Sequence, residues 1–408
     1  MVFVVGVVLF ALGLLLSIAW HECGHMWAAQ RTGMYVRRYF IGFGPTLWST
    51  RRGDTEYGVK ALPLGGFCDI AGMTTYDEIV PEQRHRAMYL QHPWKRLVVL
   101  FAGPLQNFIL GFVLIVILAL GWGLPNLNPP PTPARVAALD CVGSSMSADG
   151  TMSACSGTGP AGAAGLRVGD EIVAADGKAV SKAADLSPII QQSQGPVSLT
   201  VRRGEQTLEL TVNPATVNTP PAANQDQNGS AAAPTSKRMI GIAFPGQELQ
   251  HYNVLTAIPG AAVFTGQLME KTWDSLISMP SKIADLWTAV TGGQRSDDTP
   301  VSVYGASVIG GEAADHGSWS FFIFLLASIN FFLGVFNLIP LLPLDGGHMA
   351  LVGYEKVRDL VRRRLGKPAG GPVDYMRLMP ATYAVIAVMG CYMVLTLAAD
   401  IINPIKVF

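Results

Sequence analysis

Trp20-His21-Glu22-Cys23-Gly24-His25 closes an almost unbroken apolar run that begins at Val2. The His-Glu-x-x-His spacing puts His21 and His25 one helical turn apart on one face, where two imidazoles can share a Zn²⁺. Glu22 lies beside them, a carboxylate placed to take a proton from water. The run ahead of the motif is long enough to cross most of a bilayer, at ~1.5 Å per residue against a hydrocarbon core of ~30 Å. Two imidazoles and a carboxylate at the end of such a helix are costly unless metal, water or partners receive them. The bland alternative is a chance match on an interfacial helix.

The rest of the chain agrees with a membrane setting. Of 408 residues half are apolar and 14% charged, and the mean hydropathy is +0.32, the profile of a membrane protein carrying a soluble part. Net charge is zero, which gives no reason to expect nucleic acid. The cysteines Cys23, Cys68, Cys141, Cys155 and Cys391 form no Cys-x-x-Cys pair, which argues against a thiolate zinc site. The first segment has no basic n-region and no small-residue cleavage site, so it reads as a retained span and not as a signal peptide.

Four apolar stretches, 2–29, 97–121, 320–344 and 380–402, are long enough to span. Residues 31–96 hold ten Lys/Arg against six Asp/Glu, and 351–379 hold seven against three, whereas 125–319 hold eleven against seventeen. The positive-inside rule places the first two stretches in the cytoplasm and the long third one outside, with His25 toward the cytoplasmic end of its helix. The expected fold is a polytopic α-helical membrane protein with about four transmembrane helices. It carries a β-hairpin sheet at the cytoplasmic face and an inserted extracytoplasmic α+β domain. The expected division is 1–30, 31–96, 97–121, 132–245, 246–319, 320–349 and 380–402.

Within 34–70, aromatic, Arg and Gly residues alternate on either side of the turn Arg51-Arg52-Gly53-Asp54, which predicts strands. An open sheet edge there can bind an unwound peptide by strand addition; a solvated hairpin without such a role is the alternative. The second span contains Phe101-Ala102-Gly103-Pro104-Leu105-Gln106-Asn107. Gly103 permits close helix approach, Pro104 opens the helix and Asn107 needs a partner in lipid, a pattern that tight packing explains as well as catalysis does.

In the external loop, Gly159 to Lys178 predicts a short helix, a Gly169-Asp170 turn, a strand and an Asp176-Gly177 hairpin. Two further strands are expected at 197–201 and 208–212, with a closing one at 239–244. Residues 214–238, rich in Pro, Ala, Asn, Gln and Ser, read as a disordered insertion. Cys141 and Cys155 lie where an oxidising compartment permits a disulfide, and Cys23 reads as a packing residue. Residues 251–291 have helical periodicity suited to amphipathic helices on the outer membrane surface, or to packing against the inserted domain.

Catalytic zinc usually has three protein ligands. The third span supplies a candidate in Asn337-Leu338-Ile339-Pro340-Leu341-Leu342-Pro343-Leu344-Asp345-Gly346-Gly347-His348. The two prolines break the helix, a break tolerated at membrane depth only where it lines a cavity, and Asp345 follows it directly as a hard oxygen ligand. His348 is a competing ligand.

His21-Glu22-x-x-His25, Phe101 to Asn107 and Asn337 to Gly346, in that order and in separate spans, resemble the signature motifs of the site-2 proteases, the zinc intramembrane metalloproteases. The Gly-Leu-x-x-Gly-Asp-x-Ile run of residues 165–172 resembles a PDZ domain of the bacterial protease type, and such an insertion between spans two and three is similar to the bacterial branch of the family. The four-span layout resembles its actinobacterial members. The resemblance covers 1–121, 159–213 and 302–349, is weak over 214–301, and departs from the family at Tyr304-Gly305-Ala306. It implies Zn²⁺ held by His21, His25 and Asp345, Glu22 as general base, and Asn337 with Asn107 as substrate-positioning groups. It also implies single-span membrane substrates such as anti-sigma factors, cut after a first extracytoplasmic cleavage. The PDZ-like domain would bind peptide or act as a size filter. A zinc-binding membrane transporter and a non-catalytic PDZ scaffold are the alternatives.

Overall fold

The structure is a computed structural model and describes all residues except 75, 128–132, 147–151, 220–234, 246–248, 294, 297, 406 and 408. It divides into a helical unit, Met1–Leu124 with His251–Val407, and an inserted unit, Pro125–Gln250.

The helical unit starts with α1 (Val2–Arg31), which carries the His-Glu-x-x-His motif in its last three turns. Next come strands β1 (Val36–Arg52) and β2 (Thr55–Ile70) and helix α2 (Pro93–Gly121), and the short β3 (Leu124–Pro125) falls on the boundary with the inserted unit. After the insertion follow α5 (Val254–Ser278), α6 (Ile283–Val290), α7 (Val303–Asp315), α8 (Trp319–Asn337), α9 (Asp345–Arg364) and α10 (Met379–Ile402). Four of these helices, α1, α2, α8 and α10, are long and apolar enough to cross a membrane.

α1 packs against α2 and α7, and α2 packs against α8. The α1–α2 contact is close because Gly24 faces α2: a Cβ there would lie 2.4 Å from the carbonyl oxygen of Ala102. α7 lies beyond the stretch 251–291 for which surface helices are expected. Its Gly305, Ala306, Gly310, Gly311, Ala313 and Ala314 are buried, and small residues on both sides allow the crossing with α1, where a Cβ on Gly6 would meet Ala314 Cβ at 2.6 Å. α5 buries Ala257, Ala261, Phe264, Leu268 and Thr272 and packs on α2 and α8. Its packing partners are two of the four helices long and apolar enough to cross a membrane.

The expected turn between β1 and β2 is present, with Gly53 at φ +63° where a left-handed backbone favours glycine. Residues 38–41 of β1 pair with 66–69 of β2 and also with 56–59, so the run 66–70 forms an outer edge of the sheet. That edge packs toward α1. Arg37 and Arg38 clamp its end through Asp69, at 2.6 and 2.8 Å.

The third apolar stretch is not one helix. α8 stops at Asn337, residues 338–344 run without helix through Pro340 and Pro343, and α9 restarts at Asp345. α9 continues to Arg364, through much of what the charge pattern marked only as a basic loop.

In the inserted unit, β4 (Ala134–Arg135), β6 (Glu171–Ala175), β8 (Val197–Arg203) and β9 (Gln206–Val212) form an antiparallel sheet in that order, with β7 (Lys178–Ala179) on β6. Helices α3 (Gly159–Ala163) and α4 (Ala183–Gln192) complete it. The core gathers Val136, Leu166, Ile172, Leu186 and Leu199. Asp176 and Gly177, both at positive φ, make the expected hairpin turn between β6 and β7. β12 (Ile242–Ala243) closes on β5 (Ala138–Leu139). Cys141 and Cys155 form a disulfide. The stretch expected to be disordered is ordered at its ends: β10 (Ala215–Thr219) pairs with β11 (Thr235–Met239), because five backbone pairs in register supply the hydrogen bonds that composition alone does not signal. The centre of that stretch, 220–234, lies outside the described residues.

Candidate metal centre

Three ligand atoms from three places in the sequence converge in the helical unit. His21 Nε2 and His25 Nε2 are 3.2 Å apart, and Asp345 Oδ2 lies 3.2 Å from the first and 3.3 Å from the second. The histidines are adjacent because one turn of α1 separates them. Asp345 reaches them because the chain breaks after α8 and α9 restarts at that residue. All three residues belong to a group whose ligand atoms lie within 4.8 Å of one another and could hold a metal ion.

The environment of the ligands defines what that ion must be. His25 Nδ1 faces the Val99 carbonyl oxygen at 2.8 Å; a carbonyl only accepts, so Nδ1 carries the proton and Nε2 presents a bare lone pair. Asp345 Oδ2 is buried and accepts no hydrogen bond. The bare Nε2 of His25 and the Asp345 oxygen therefore face one another with no His25 proton between them, an arrangement that a shared cation relieves. In a tetrahedral site with ligand atoms ~2.0–2.1 Å from the ion, neighbouring ligand atoms are ~3.3 Å apart. The three observed edges match, and two imidazoles with one carboxylate suit Zn²⁺. These residues fit zinc.

The surroundings hold the ligands in place. His21 Nδ1 lies 3.2 Å from the Asn107 amide, which is fully buried on α2. Gly103 lies against both rings: a Cβ there would fall 2.2 Å from His25 Nε2 and 2.8 Å from His21 Cε1. Glu22, next to His21 on α1, turns its Oε2 to accept the backbone N–H of Cys68 on the sheet edge, at 3.0 Å. Burial, and after it the Glu22 and Asp69 charges, push the Cys68 thiol well above its usual range, so it stays neutral beside the site. A cavity of about 280 Å³ joins His21, Glu22, His25, Cys68, Asn337 and Asp345.

Of the sequence-predicted residues, His21, His25, Glu22, Asn337 and Asp345 thus line one cavity, and Asn107 stands behind His21. His348 points elsewhere: its Nδ1 meets the Tyr375 hydroxyl at 3.1 Å and its ring stacks on that of Tyr375. Cys23 packs among Met26, Met34 and Ile70, as expected of a packing residue. Sequence reasoning missed Val99 and Cys68, because both act through backbone atoms that no side-chain pattern marks. It also missed Gly24, although a glycine between two candidate ligand histidines was a signal for close helix approach.

Comparison with known proteins agrees with this chemistry. The model of peptidase family M50 matches residues 9–378. The zinc metalloprotease Rip1 of Mycolicibacterium smegmatis is 50% identical over 413 residues, covering 100% of both chains. Rip1 of Mycobacterium tuberculosis is 47% identical over 408 residues, again covering 100% of both. The regulator of sigma-E protease RseP of Salmonella typhimurium is 27% identical over 450 residues, covering 90% of this chain and 91% of its own. A match over most of the length, together with a zinc-fitting centre set among membrane-spanning helices, shows that the chain belongs to peptidase family M50, the intramembrane zinc metalloproteases of the site-2 type.

Proposed function

We propose that this metalloprotease cuts a peptide bond inside the membrane-spanning segment of single-span proteins, with Glu22 as general base and His21, His25 and Asp345 as the zinc ligands. One observation carries the reading: a carboxylate that is not a ligand shares a cavity with three convergent ligand atoms. Zinc bound there supplies Lewis acidity, which brings the pKa of water toward ~7 and polarises a carbonyl.

The chain's own residues do the rest. Cys68 N–H holds Glu22 Oε2, which leaves Oε1 to take the proton of the attacking water and then deliver it to the departing amine nitrogen, a role worth ~10²–10⁴ in rate. A helical substrate shields its peptide bonds with its own hydrogen bonds and must unwind first. The edge run 66–70 of β2 borders the cavity and supports a route by strand addition. Asn337, at the last turn of α8 and on the same cavity, is suited to hold the backbone of the unwound segment.

The finer reading concerns substrates and sidedness. A relative named as a regulator of sigma-E protease supports membrane anti-sigma factors as the substrate class. The excess of Lys/Arg in 31–96 and 351–379 supports a metal centre toward the cytoplasmic side and an extracytoplasmic inserted unit. The Gly169-Asp170 turn, the β6–β7 hairpin and a cavity of about 260 Å³ between α4 and residues 238–244 support a PDZ-like role for that unit, screening out substrates not yet trimmed outside. Transport explains the ligands but gives Glu22 no task, and a scaffold needs neither.

The test is cleavage of a single-span anti-sigma-type substrate by purified protein in detergent. Cleavage within the span, lost with Glu22→Gln and with zinc chelation, is the expected result. Equal cleavage by wild type and Glu22→Gln would overturn it. Deleting the inserted unit should admit the untrimmed substrate; unchanged discrimination would remove the filter role.

A further inference from the structure

One turn before His21, on the same face of α1, stands Ser17, whose side chain is fully buried against α8. Its hydroxyl donates to the Gly13 carbonyl at 2.9 Å, so its oxygen is the acceptor for Asn330 Nδ2 at 3.0 Å. Asn330 Nδ2 also donates to the Leu326 carbonyl at 2.8 Å. Both bonds require a donor, which assigns the amide without ambiguity. Its other end, Oδ1, is then a buried acceptor with no hydrogen bond, on a residue with 0% exposure midway along a membrane-spanning helix. An unpaired buried amide oxygen costs ~1–3 kcal/mol.

A second amide repeats the pattern. Asn107 is 1% exposed, and among the described residues its one polar contact is His21 Nδ1. With His21 ligating through Nε2, Nδ1 carries the proton and the atom facing it must be the amide oxygen; oxygen and nitrogen of an amide are exchanged by a flip. Either orientation leaves one end of Asn107 unpaired. In the orientation that the ligand role demands, the unpaired end is an N–H donor, and the unpaired end of Asn330 is an acceptor.

The partners of these two amides, His21 and Ser17, are one turn apart on α1, a rise of ~5.4–6 Å. Two hydrogen bonds through a single oxygen span ~5.6 Å. A buried donor and a buried acceptor, each left unpaired and held by partners one turn apart on α1, are what an internal water requires.

We propose that Asn107 and Asn330 bind one internal water behind the metal ligands, with Ser17 fixing the Asn330 amide, and that this water holds the Asn107 amide against His21. Asn330 is thus a positioning residue that acts on the metal through water, Asn107 and the His21 proton. The inference rests on His21 being a zinc ligand.

The experiment measures zinc affinity of the full-length protein in detergent by chelator competition, alongside thermal unfolding of the metal-free protein. His21→Ala must lose zinc; if it does not, the ligand assignment fails, separately from the water site. Asn330→Leu removes the acceptor with little change of volume and should weaken zinc about 10-fold, the usual effect of losing a group that orients a ligand. Asn107→Leu should do the same, and the double variant should be no weaker than Asn107→Leu alone, because one water links them. If Asn330→Leu does not fold, Ser17→Ala, which frees the Asn330 amide, should weaken zinc severalfold with unfolding of the metal-free protein little changed. A density map that resolves ordered water should show one between Asn330 Oδ1 and Asn107. Wild-type zinc affinity in the folded variants, additive losses in the double variant, or a dry map would each overturn the proposal.

Discussion

The backbone N–H of Cys68 donates to Oε2 of Glu22 across 3.0 Å, so a sheet edge orients the carboxylate that stands beside the ligand histidines. The contact runs through backbone, which separates the residue's identity from its function. Cys68→Ala should keep most of the peptidase activity, since the N–H remains and the thiol is a neutral bystander. Cys68→Pro deletes the donor and should lower activity with zinc retained. Glu22→Gln keeps an oxygen to accept the same bond, so the protein should fold and bind zinc while activity falls ~10²–10⁴-fold. Turnover of a single-span substrate and zinc content together check all three.

Zinc should be removable and restorable. A chelator should abolish cleavage, and added Zn²⁺ should recover it. Asp345→Ala should leave the purified protein without stoichiometric zinc, whereas His348→Ala should retain it, because His348 is committed to Tyr375 and not to the ligand triangle. Elemental analysis of the two variants distinguishes the two candidate third ligands. Zinc-free His348→Ala with zinc-loaded Asp345→Ala would reverse the assignment.

Much of this site was legible in sequence because it is written in side chains at fixed helical spacing. His21 and His25 are one turn apart, and Pro340 with Pro343 announces the break that Asp345 follows. The four spans were legible for a similar reason, since length and apolarity suffice. What was not legible depends on packing between distant segments. α7 has few large apolar residues, so its burial against α1 becomes visible only when Gly6 and Gly311 are seen face to face. Pairing of 215–219 with 235–239 is likewise invisible in a composition that reads as disorder, and the double pairing of 38–41 sets which edge of the sheet borders Glu22. Asn107 was noticed as a polar residue in lipid, but only the fold shows that its partner is His21.

A buried ion pair anchors the last span. Arg295 and Asp400, 3% and 2% exposed, meet at 2.7 Å, and the remaining Arg295 donors go to Thr299, Pro300 and Asn403. α10 packs mainly on α6 and α7, and this pair ties it to the segment between those two helices. Removing one partner strands a buried charge, and Arg295→Met or Asp400→Leu alone should destabilise by ~3–5 kcal/mol. The double substitution should cost less than either single one, since no orphaned charge remains. Thermal or denaturant unfolding in detergent is the measurement, and additive losses would show that the pair is not coupled.

Gly103 offers the sharpest test of the centre's geometry. Its Cα sits so close to the two imidazoles that a single methyl would fall 2.2 Å from His25 Nε2, the atom proposed to face the metal. A free imidazole could swing away from such a methyl, but His25 is pinned through Nδ1 by Val99 and His21 through Nδ1 by Asn107. The clash is therefore resolved only by moving α2 away from α1 or by breaking the ligand triangle. The first path forfeits the close α1–α2 contact at Gly24. Gly103→Ala should accordingly lose zinc and activity together while the chain still inserts and folds. Gly121→Ala, on the same helix with open space around it, should behave as wild type in both respects. Zinc content measured beside cleavage decides the matter: a zinc-loaded, inactive Gly103→Ala would place the role of this glycine in substrate access and not in holding the ligands.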